Sequence, residues 1–392
     1  MAGSSLAPVN IRNSRILVVD DNRVNRHLLT AVLQRGGFPH VEMAEDGIDA
    51  LAKIEAQAPD LILLDLMMPR MDGFETCRRV RTDPNRRDLP ILVQSSLSGS
   101  EDRTRAFSVG ATDFVTKPIN ATELLSRVRI HLENQALLRD LQGYRRRRQG
   151  ELALARSMQE RLLPAPSRLV ETEADLGLSI AAHFEPSSEL GGDFWDLRRD
   201  GLGRLIVWLV DFSGHGVGAA LNTFRLHAIL RQMDLTNFDP ADHLRDVNGR
   251  VCPLLRNGQF ATVLVGVIDP ATNTFHYASA GAPAPMVWVP GDAVPAFGDS
   301  SGLPVGILPS ARYENRDLPL PVGGRLFLYS DGASELWTSQ DTVLGEEGLL
   351  DLVRQQMRQE EDAGFLAGLL GALAALGNFD DDVTALVLTR RA

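Results

Sequence analysis

Five short apolar runs, at 16–19, 41–44, 61–64, 91–94 and 114–115, alternate with amphipathic helical stretches over the first third of the chain. Each run is too short for a buried helix and almost free of polar residues, as a strand covered on both faces must be. Helices between successive strands supply that cover. The pattern predicts an α/β domain with a five-stranded, doubly wound parallel sheet, whose ligands gather at the carboxyl ends of the strands.

The residues that end those runs carry the chemistry. Asp20 and Asp21 follow the first run, Asp65 the third, Ser95 the fourth, and Lys117 the fifth, just before Pro118. On neighbouring strands of one sheet they converge on a single crevice. Three carboxylates there repel one another, and a hard divalent cation with oxygen ligands, magnesium, relieves the repulsion. With charge compensated, Asp65 can attack a phosphoryl group in line and become an acyl phosphate. Lys117 supplies a further cation and Ser95 a hydrogen bond.

In the stretches VVDDN, DLMMPRMDGFE and TKP the chain resembles the receiver domain of two-component response regulators, over residues 13–133. The resemblance implies that a sensor histidine kinase or phosphotransfer protein phosphorylates Asp65. It also implies that Asp20, Asp21, Asp65 and the Met67 carbonyl hold Mg²⁺, and that Lys117-Pro118 is a cis bond. Ser95, Phe114 and Lys117 fall on the switch positions, Phe114 being the aromatic that swings inward when Ser95 engages phosphate. Ser96 stands where the family has a small apolar residue.

Residues 121–163 read as one long helix, with Gly143 and Gly150 as its weak points, and 134–163 as a helical linker. Leu137, Leu141, Tyr144, Arg148, Glu151, Ala155, Met158 and Leu162 follow a 4-3-4-3 spacing. Such a seam pairs with a second copy as a coiled coil, giving a homodimer, unless its charged centre makes it a solvated connector. The arginine run 145–148 reads as a charged helix face. Pro164-Ala165-Pro166 then stops the helix.

Beyond it, 164–392 forms a further domain. Strand-like runs at 178–184, 205–210, 262–268, 275–279, 325–329 and 383–388 are interleaved with helical segments at 217–233, 241–255, 349–357 and 365–376. Strands and helices grouped in this way predict a layered α+β domain. Aspartates recur beside glycines, in Gly191-Gly192-Asp193, Asp211-Phe212-Ser213-Gly214-His215-Gly216, Asp331-Gly332 and Asp380-Asp381-Asp382. Glycine allows close backbone approach, and carboxylates without histidine or thiolate select Mg²⁺ or Mn²⁺. Two such ions activate water and clamp the phosphoryl oxygens of an ester, which points to phosphoester hydrolysis.

The stretches ARSMQERLLP, EPSSELGGDFWDL, VDFSGHGVGAAL, FATVLVGVIDP, YASAGAPAP, GLPVGIL, LYSDGASEL and DDDVTALVL are similar, in family order, to the SpoIIE-like branch of metal-dependent (PPM-type) serine/threonine protein phosphatases. The resemblance implies an α-β-β-α sandwich holding two Mn²⁺ or Mg²⁺. It makes Asp211 the bridging ligand, with the Phe212 carbonyl beside it. Asp331 and Asp381 become further ligands, and Asp193 a ligand or an aspartate that orients coordinated water. The family pattern of Asp, a second polar residue, an apolar residue and Thr, here Thr384, implies Asp381 in preference to Asp382. Gly281-Ala282-Pro283 departs from the family's Gly-His-Asn. His215 is either a turn residue or a general acid.

Together the two resemblances imply a response regulator whose receiver controls a protein phosphatase. Its substrate would be a small phosphoprotein, most often a phosphorylated anti-sigma-factor antagonist in a partner-switching circuit. Phosphorylation would change how two copies pair through the long helix, whose 155–163 end would press on the phosphatase domain. The alternative is a catalytically silent, phosphatase-like adaptor that binds or sequesters a partner. Acidic residues at every ligand position favour catalysis.

Composition removes other classes. A net charge of −11 opposes binding along a phosphate backbone, so no nucleic-acid partner is expected. Two cysteines, with no CxxC pair, fit a reducing cytoplasm. The start lacks a signal-peptide pattern. The longest apolar stretch, 365–376, is interrupted by Gly368 and Gly371 and falls short of the ~18 residues of a membrane span.

Overall fold

The computed structural model describes residues 11–95, 100–214, 216–256, 258–339, 341–359 and 361–391, with side chains from 104 onward in the second of these stretches. Ser96 and His215 lie outside the described residues. The chain divides into two compact units, one ending at Arg148 and one beginning at Gln149.

In the first unit, β1 (Ile16–Val19), β2 (Val41–Ala44), β3 (Leu61–Asp65), β4 (Ile91–Ser95) and β5 (Asp113–Thr116) alternate with α1 (Arg23–Arg35), α2 (Gly47–Ala56), α3 (Gly73–Thr82) and α4 (Ser100–Ser108). All pairings are parallel and the order is β2-β1-β3-β4-β5, so the chain reverses direction across the sheet at β1 and β3. Period-2 alternation divides the strand residues between two cores. Leu17, Val19, Ile62, Leu64, Ile91 and Val93 meet α2, α3 and α4 through Ile54, Phe74, Cys77 and Ala106. Ile16, Val18, Leu61, Leu63, Leu92 and Val115 meet Leu29 and Leu33 of α1 on the opposite face, together with Leu124, Val128 and Leu132.

Those last three lie on α5 (Ala121–Glu160), which runs through Gly143 and Gly150 without a break. Neither glycine has a tertiary neighbour that would force a bend. Leu137, Leu141, Tyr144 and Met158 are exposed along it. Leu162 departs from the expected seam, because the helix has ended by then and its side chain packs against the core of the second unit.

The second unit adds α6 (Pro166–Leu176), β6 (Leu178–Glu185), β7 (Phe194–Arg199), β8 (Leu205–Phe212), α7 (Val217–Gln232), α8 (Pro240–Val251), β9 (Ala261–Asp269) and β10 (Thr274–Ala280). There follow β11 (Met286–Trp288), β12 (Ala296–Phe297), β13 (Arg316–Pro319), β14 (Arg325–Tyr329), β15 (Trp337–Thr338), α9 (Gly345–Gln356), α10 (Asp362–Leu376), β16 (Gly377–Asn378) and β17 (Val383–Arg390). Two five-stranded antiparallel sheets result, ordered β13-β10-β9-β8-β7 and β12-β11-β14-β17-β6. Their inner faces share one core, in which Leu205, Val207 and Leu209 of β8 meet Leu326 and Leu328 of β14 and Leu386 and Leu388 of β17.

The alternate residues face outward to helices. Ile206, Trp208 and Val210 pack with Leu226, Leu230, Leu244 and Val247 of α7 and α8. Phe327, Tyr329, Ala385 and Val387 pack with Leu349, Phe365 and Leu369 of α9 and α10. Both sheets are therefore apolar on both faces, giving the α-β-β-α sandwich. The sequence pattern does not mark α6, β7, β11 or β13. In β7, FWDLRR, two arginines and an aspartate interrupt the apolar run because this strand lies at a sheet edge. No helix among the described residues is long and apolar enough to cross a membrane.

Candidate functional site

The fold builds two acidic sites, one in each unit. In the first, Asp20 and Asp21 follow β1 and Asp65 ends β3, so the central strands deliver all three to one crevice. Among the described residues this is the one carboxylate trio whose oxygens all lie within 4.8 Å of one another. Asp20 is fully buried and also holds the start of α1, its Oδ1 accepting the Asn22 amide at 2.9 Å. Lys117 reaches over from the end of β5, its Nζ 2.6 Å from Asp65 Oδ2 and 3.3 Å from Asp20 Oδ2.

Burial raises the pKa of Asp65 above the usual carboxylate range, and Lys117 opposes the rise. Three carboxylates against one ammonium leave the crevice negative, and its donors are hard oxygens. These residues fit Mg²⁺. Met67, exposed just past β3, places its carbonyl on the same loop, and its amide lies 3.5 Å from Asp65 Oδ1. The Lys117-Pro118 bond is cis. Ser95 ends β4, and half-buried Phe114 on β5 meets Phe107 edge-on at 6.1 Å.

In the second unit, Asp193 precedes β7, Asp211 lies near the end of β8, Asp331 opens the turn after β14, and Asp381 precedes β17. Two adjacent strands of each sheet thus contribute, and the four carboxylates meet at one end of the sandwich. Burial pushes Asp211 up to about 8, with the Asp331 and Asp381 charges adding to the rise. Asp331 is pushed up to about 6 by burial and then by Asp381. Asp193, only 1% exposed, is held well above the carboxylate range by burial and then by Asp211.

Asp193 Oδ1 finds no hydroxyl or amide donor within hydrogen-bonding geometry. The Asp211 and Asp382 charges lie close enough to raise its pKa further, while the Thr384 hydroxyl opposes the rise from Oδ2. So many buried like charges are stable only when protons or cations sit among them. Among the described residues this set is not drawn together as tightly as the receiver trio, and its donors are hard oxygens alone, which fit Mg²⁺ or Mn²⁺.

Two glycines are needed for close approach. A Cβ on Gly192 would lie 2.6 Å from the Phe212 carbonyl oxygen, and one on Gly332 would lie 2.1 Å from the Asp382 carbonyl oxygen. The Phe212 ring is buried in the core, which leaves its carbonyl as the part available to a cation. Asp381 and Asp382 are separated by burial. Asp381 is half-exposed beside the cluster, whereas Asp382 is 2% exposed and points its carboxylate at main-chain amides. Gly281 takes a left-handed φ of 76°, with Ala282 buried behind it.

Sequence reasoning missed Gln159. Its side chain is buried near the end of α5, donating from Nε2 to the Gly191 carbonyl at 2.6 Å and accepting the Gly191 amide at Oε1 at 3.2 Å. The signal available was weak: Gln159 stands with Glu160 and Arg161 between Met158 and Leu162, a polar run that reads as an exposed helix face.

Comparison with known proteins agrees with this division. Residues 16–129 match the response regulator receiver domain family, and residues 201–391 match the Stage II sporulation protein E (SpoIIE) family. The chain thus carries a receiver domain followed by a second domain. That second domain is of the SpoIIE/PP2C type.

Among curated relatives, the response regulator PleD of Caulobacter vibrioides is 46% identical over 117 residues, 30% of this chain and 26% of PleD. The response regulator MprA of Mycobacterium ulcerans is 43% identical over 123 residues, 31% of this chain and 52% of MprA. The chain therefore spans between about a quarter and about half of the length of these relatives. Among solved structures, the RsbU and RsbW domains of a Mycobacterium tuberculosis protein align with a TM-score of 0.50 at 27% identity, over 55% of this chain and 60% of that one. The SiaA PP2C domain of Pseudomonas aeruginosa aligns with a TM-score of 0.54 at 21% identity, over 63% of this chain and 98% of that domain, a likeness of fold.

Proposed function

We propose that the protein is a response regulator in which phosphorylation of Asp65 controls a metal-dependent serine/threonine protein phosphatase. The substrate is a small phosphoprotein, in the SpoIIE-like setting a phosphorylated anti-sigma-factor antagonist of a partner-switching pathway. The phosphodonor is a sensor histidine kinase or phosphotransfer protein. The observation that carries the reading is the second acidic cluster, four carboxylates at one end of the sandwich with Asp211 pushed up to about 8. A silent adaptor has no use for charges that cost so much to bury.

Asp211, Asp331, Asp381 and the Phe212 carbonyl would hold the metals, with Asp193 as a further ligand or as the group that orients water. When bound, two ions supply charge neutralisation at the phosphoryl oxygens and a lowered pKa for the attacking water. The protein's own part is to hold these groups rigid. Thr384 fixes Asp193 through a 2.6 Å hydrogen bond, and Gly192 lets the Asp193 loop close onto the Phe212 carbonyl. In the receiver, a carboxylate oxygen of Asp65 attacks the phosphorus of the donor's phosphohistidine in line as the P–N bond breaks and the imidazole leaves, and Lys117 pairs with the phosphoryl oxygen that replaces its present Asp65 contact.

Control passes along α5. The helix carries an exposed apolar stripe suited to a second copy, and Gln159 near its end grips Gly191, two residues before Asp193. A change in how two copies pair would then be felt at the metal site.

The experiment is hydrolysis of an aryl phosphate by the full chain, with and without Mn²⁺, with the receiver phosphorylated or not, beside Asp211→Asn. Manganese-dependent turnover that vanishes in Asp211→Asn supports the phosphatase. A folded protein without turnover in either receiver state overturns it in favour of the adaptor.

A further inference from the structure

We propose that Asp382 is a positioning residue that assembles the Asp193 side of the second site and thereby sets its affinity for divalent metal; the proposal rests on the phosphatase reading above. Asp382 is not itself a ligand. Its Oδ1 accepts the Ser187 amide at 2.7 Å and the Ser187 hydroxyl at 3.0 Å, while Oδ2 accepts the Gly192 amide and, at 3.4 Å, the Asp193 amide. All four donors come from the irregular stretch 187–193, which has two consecutive glycines and no ladder of its own to hold it.

The same residue faces the other loop with its main chain. Its carbonyl accepts the Ser330 hydroxyl at 3.3 Å and lies so close to Gly332 that no side chain fits there. Asp382 therefore ties the loop carrying Asp193 to the loop carrying Asp331. Alternation along this extended stretch explains the division of labour. Asp382 and Thr384 turn toward Asp193, Thr384 donating to its Oδ2, while Asp381, between the turn and β17, accepts the Asp382 amide and lies near Asp211 and Asp331.

Only a carboxylate suits four donors. An asparagine would offer a single oxygen and set its NH₂ against an amide N–H, leaving buried donors unpaired. Partners that orient ligands typically change metal affinity about 10- to 100-fold when removed.

The test uses the full chain in an Asp20→Asn/Asp21→Asn background, which removes receiver ligands, with Mn²⁺ as the probe and free Mn²⁺ read by electron paramagnetic resonance. Asp382→Asn is expected to weaken Mn²⁺ binding about 10-fold or more. Aryl phosphate turnover should recover at saturating Mn²⁺, and hydrogen exchange should quicken at Gly192 and Asp193 while the core strands stay protected. Ser187→Ala, which keeps the carboxylate and removes one donor, should shift Mn²⁺ binding in the same direction by less, and it decides the matter if Asp382→Asn fails to fold.

Unchanged Mn²⁺ affinity in the folded variants overturns the proposal. So does turnover in Asp382→Asn that saturating Mn²⁺ cannot restore, which would make Asp382 a ligand. A parent chain that binds Mn²⁺ but hydrolyses nothing sinks the phosphatase reading alone, because the shift in Mn²⁺ affinity is still measured.

Discussion

The Thr384 hydroxyl donates to Asp193 Oδ2 at 2.6 Å across a sequence separation of 191 residues. The bond joins the last strand of one sheet to the loop before an edge strand of the other, and satisfies one oxygen of a carboxylate that has no solvent to turn to. Thr384→Val leaves that oxygen unpaired at nearly constant volume. The expected cost is about 1–3 kcal/mol in urea unfolding of the metal-free protein, largely recovered when Mn²⁺ is added.

Removing Asp211 should separate activity from stability. Asp211→Asn is expected to abolish Mn²⁺-dependent hydrolysis while leaving the metal-free protein as stable as the parent or more stable at pH 8, since it removes one of several repelling carboxylates. Thermal unfolding of both proteins with chelator present checks this. A large loss of stability would contradict the repulsion argument.

The pH dependence has a definite sign. Asp211 and Asp331 are raised in the folded protein to about 8 and about 6, above their unfolded value of 3.8. The native state then binds more protons than the unfolded one, so these groups contribute stability that is full below about pH 4 and lost as pH rises toward about 8. Every tenfold difference in proton affinity between the folded and unfolded states corresponds to about 1.4 kcal/mol. Unfolding of the metal-free second unit within the full chain, followed by its tryptophans from pH 5 to 8.5, should show this decline, and Asp211→Asn should flatten it. Mn²⁺ must displace the same protons, so its affinity should climb over the same window, with proton release visible by calorimetry in two buffers.

Gly192→Ala would set a methyl group 2.6 Å from the Phe212 carbonyl oxygen. Backbone must move to admit it, at a cost of about 1–3 kcal/mol. The expected outcome is a folded protein with turnover reduced more than 10-fold by displacement of Asp193. Activity within two-fold of the parent would show that the approach is not required.

Leu152→Pro should break α5 ahead of Gln159, because proline removes a helix hydrogen bond and clashes with the preceding turn. Basal turnover should persist while its response to Asp65 phosphorylation disappears. A response that survives the break would exclude the helix as the route of control.

Much of the first site was legible because its chemistry sits at strand ends. A run such as ILVV followed by two aspartates fixes both the strand and the direction in which it delivers them, and the five runs lie within a residue or two of the observed strands. The second site was legible as a set of acidic, glycine-flanked turns. The resemblance ranked Asp381 above Asp382 as a ligand, but sequence could not say what Asp382 does, since its main-chain partners at 187–193 lie nearly two hundred residues away. Nor could it find Gln159, whose amide becomes a fixed contact only because the Gly191 main chain lies against it.

Local chemistry thus determined most of the elements, the parallel character of the first sheet, the stop after the long helix and the identities of the acidic residues. Tertiary structure decided which aspartates repel, which one serves as a clamp, and that Leu162 leaves the helix seam for the core. The physical reason is that period and propensity act over a few residues, whereas burial and coulombic coupling depend on groups brought together from chain positions nearly two hundred residues apart.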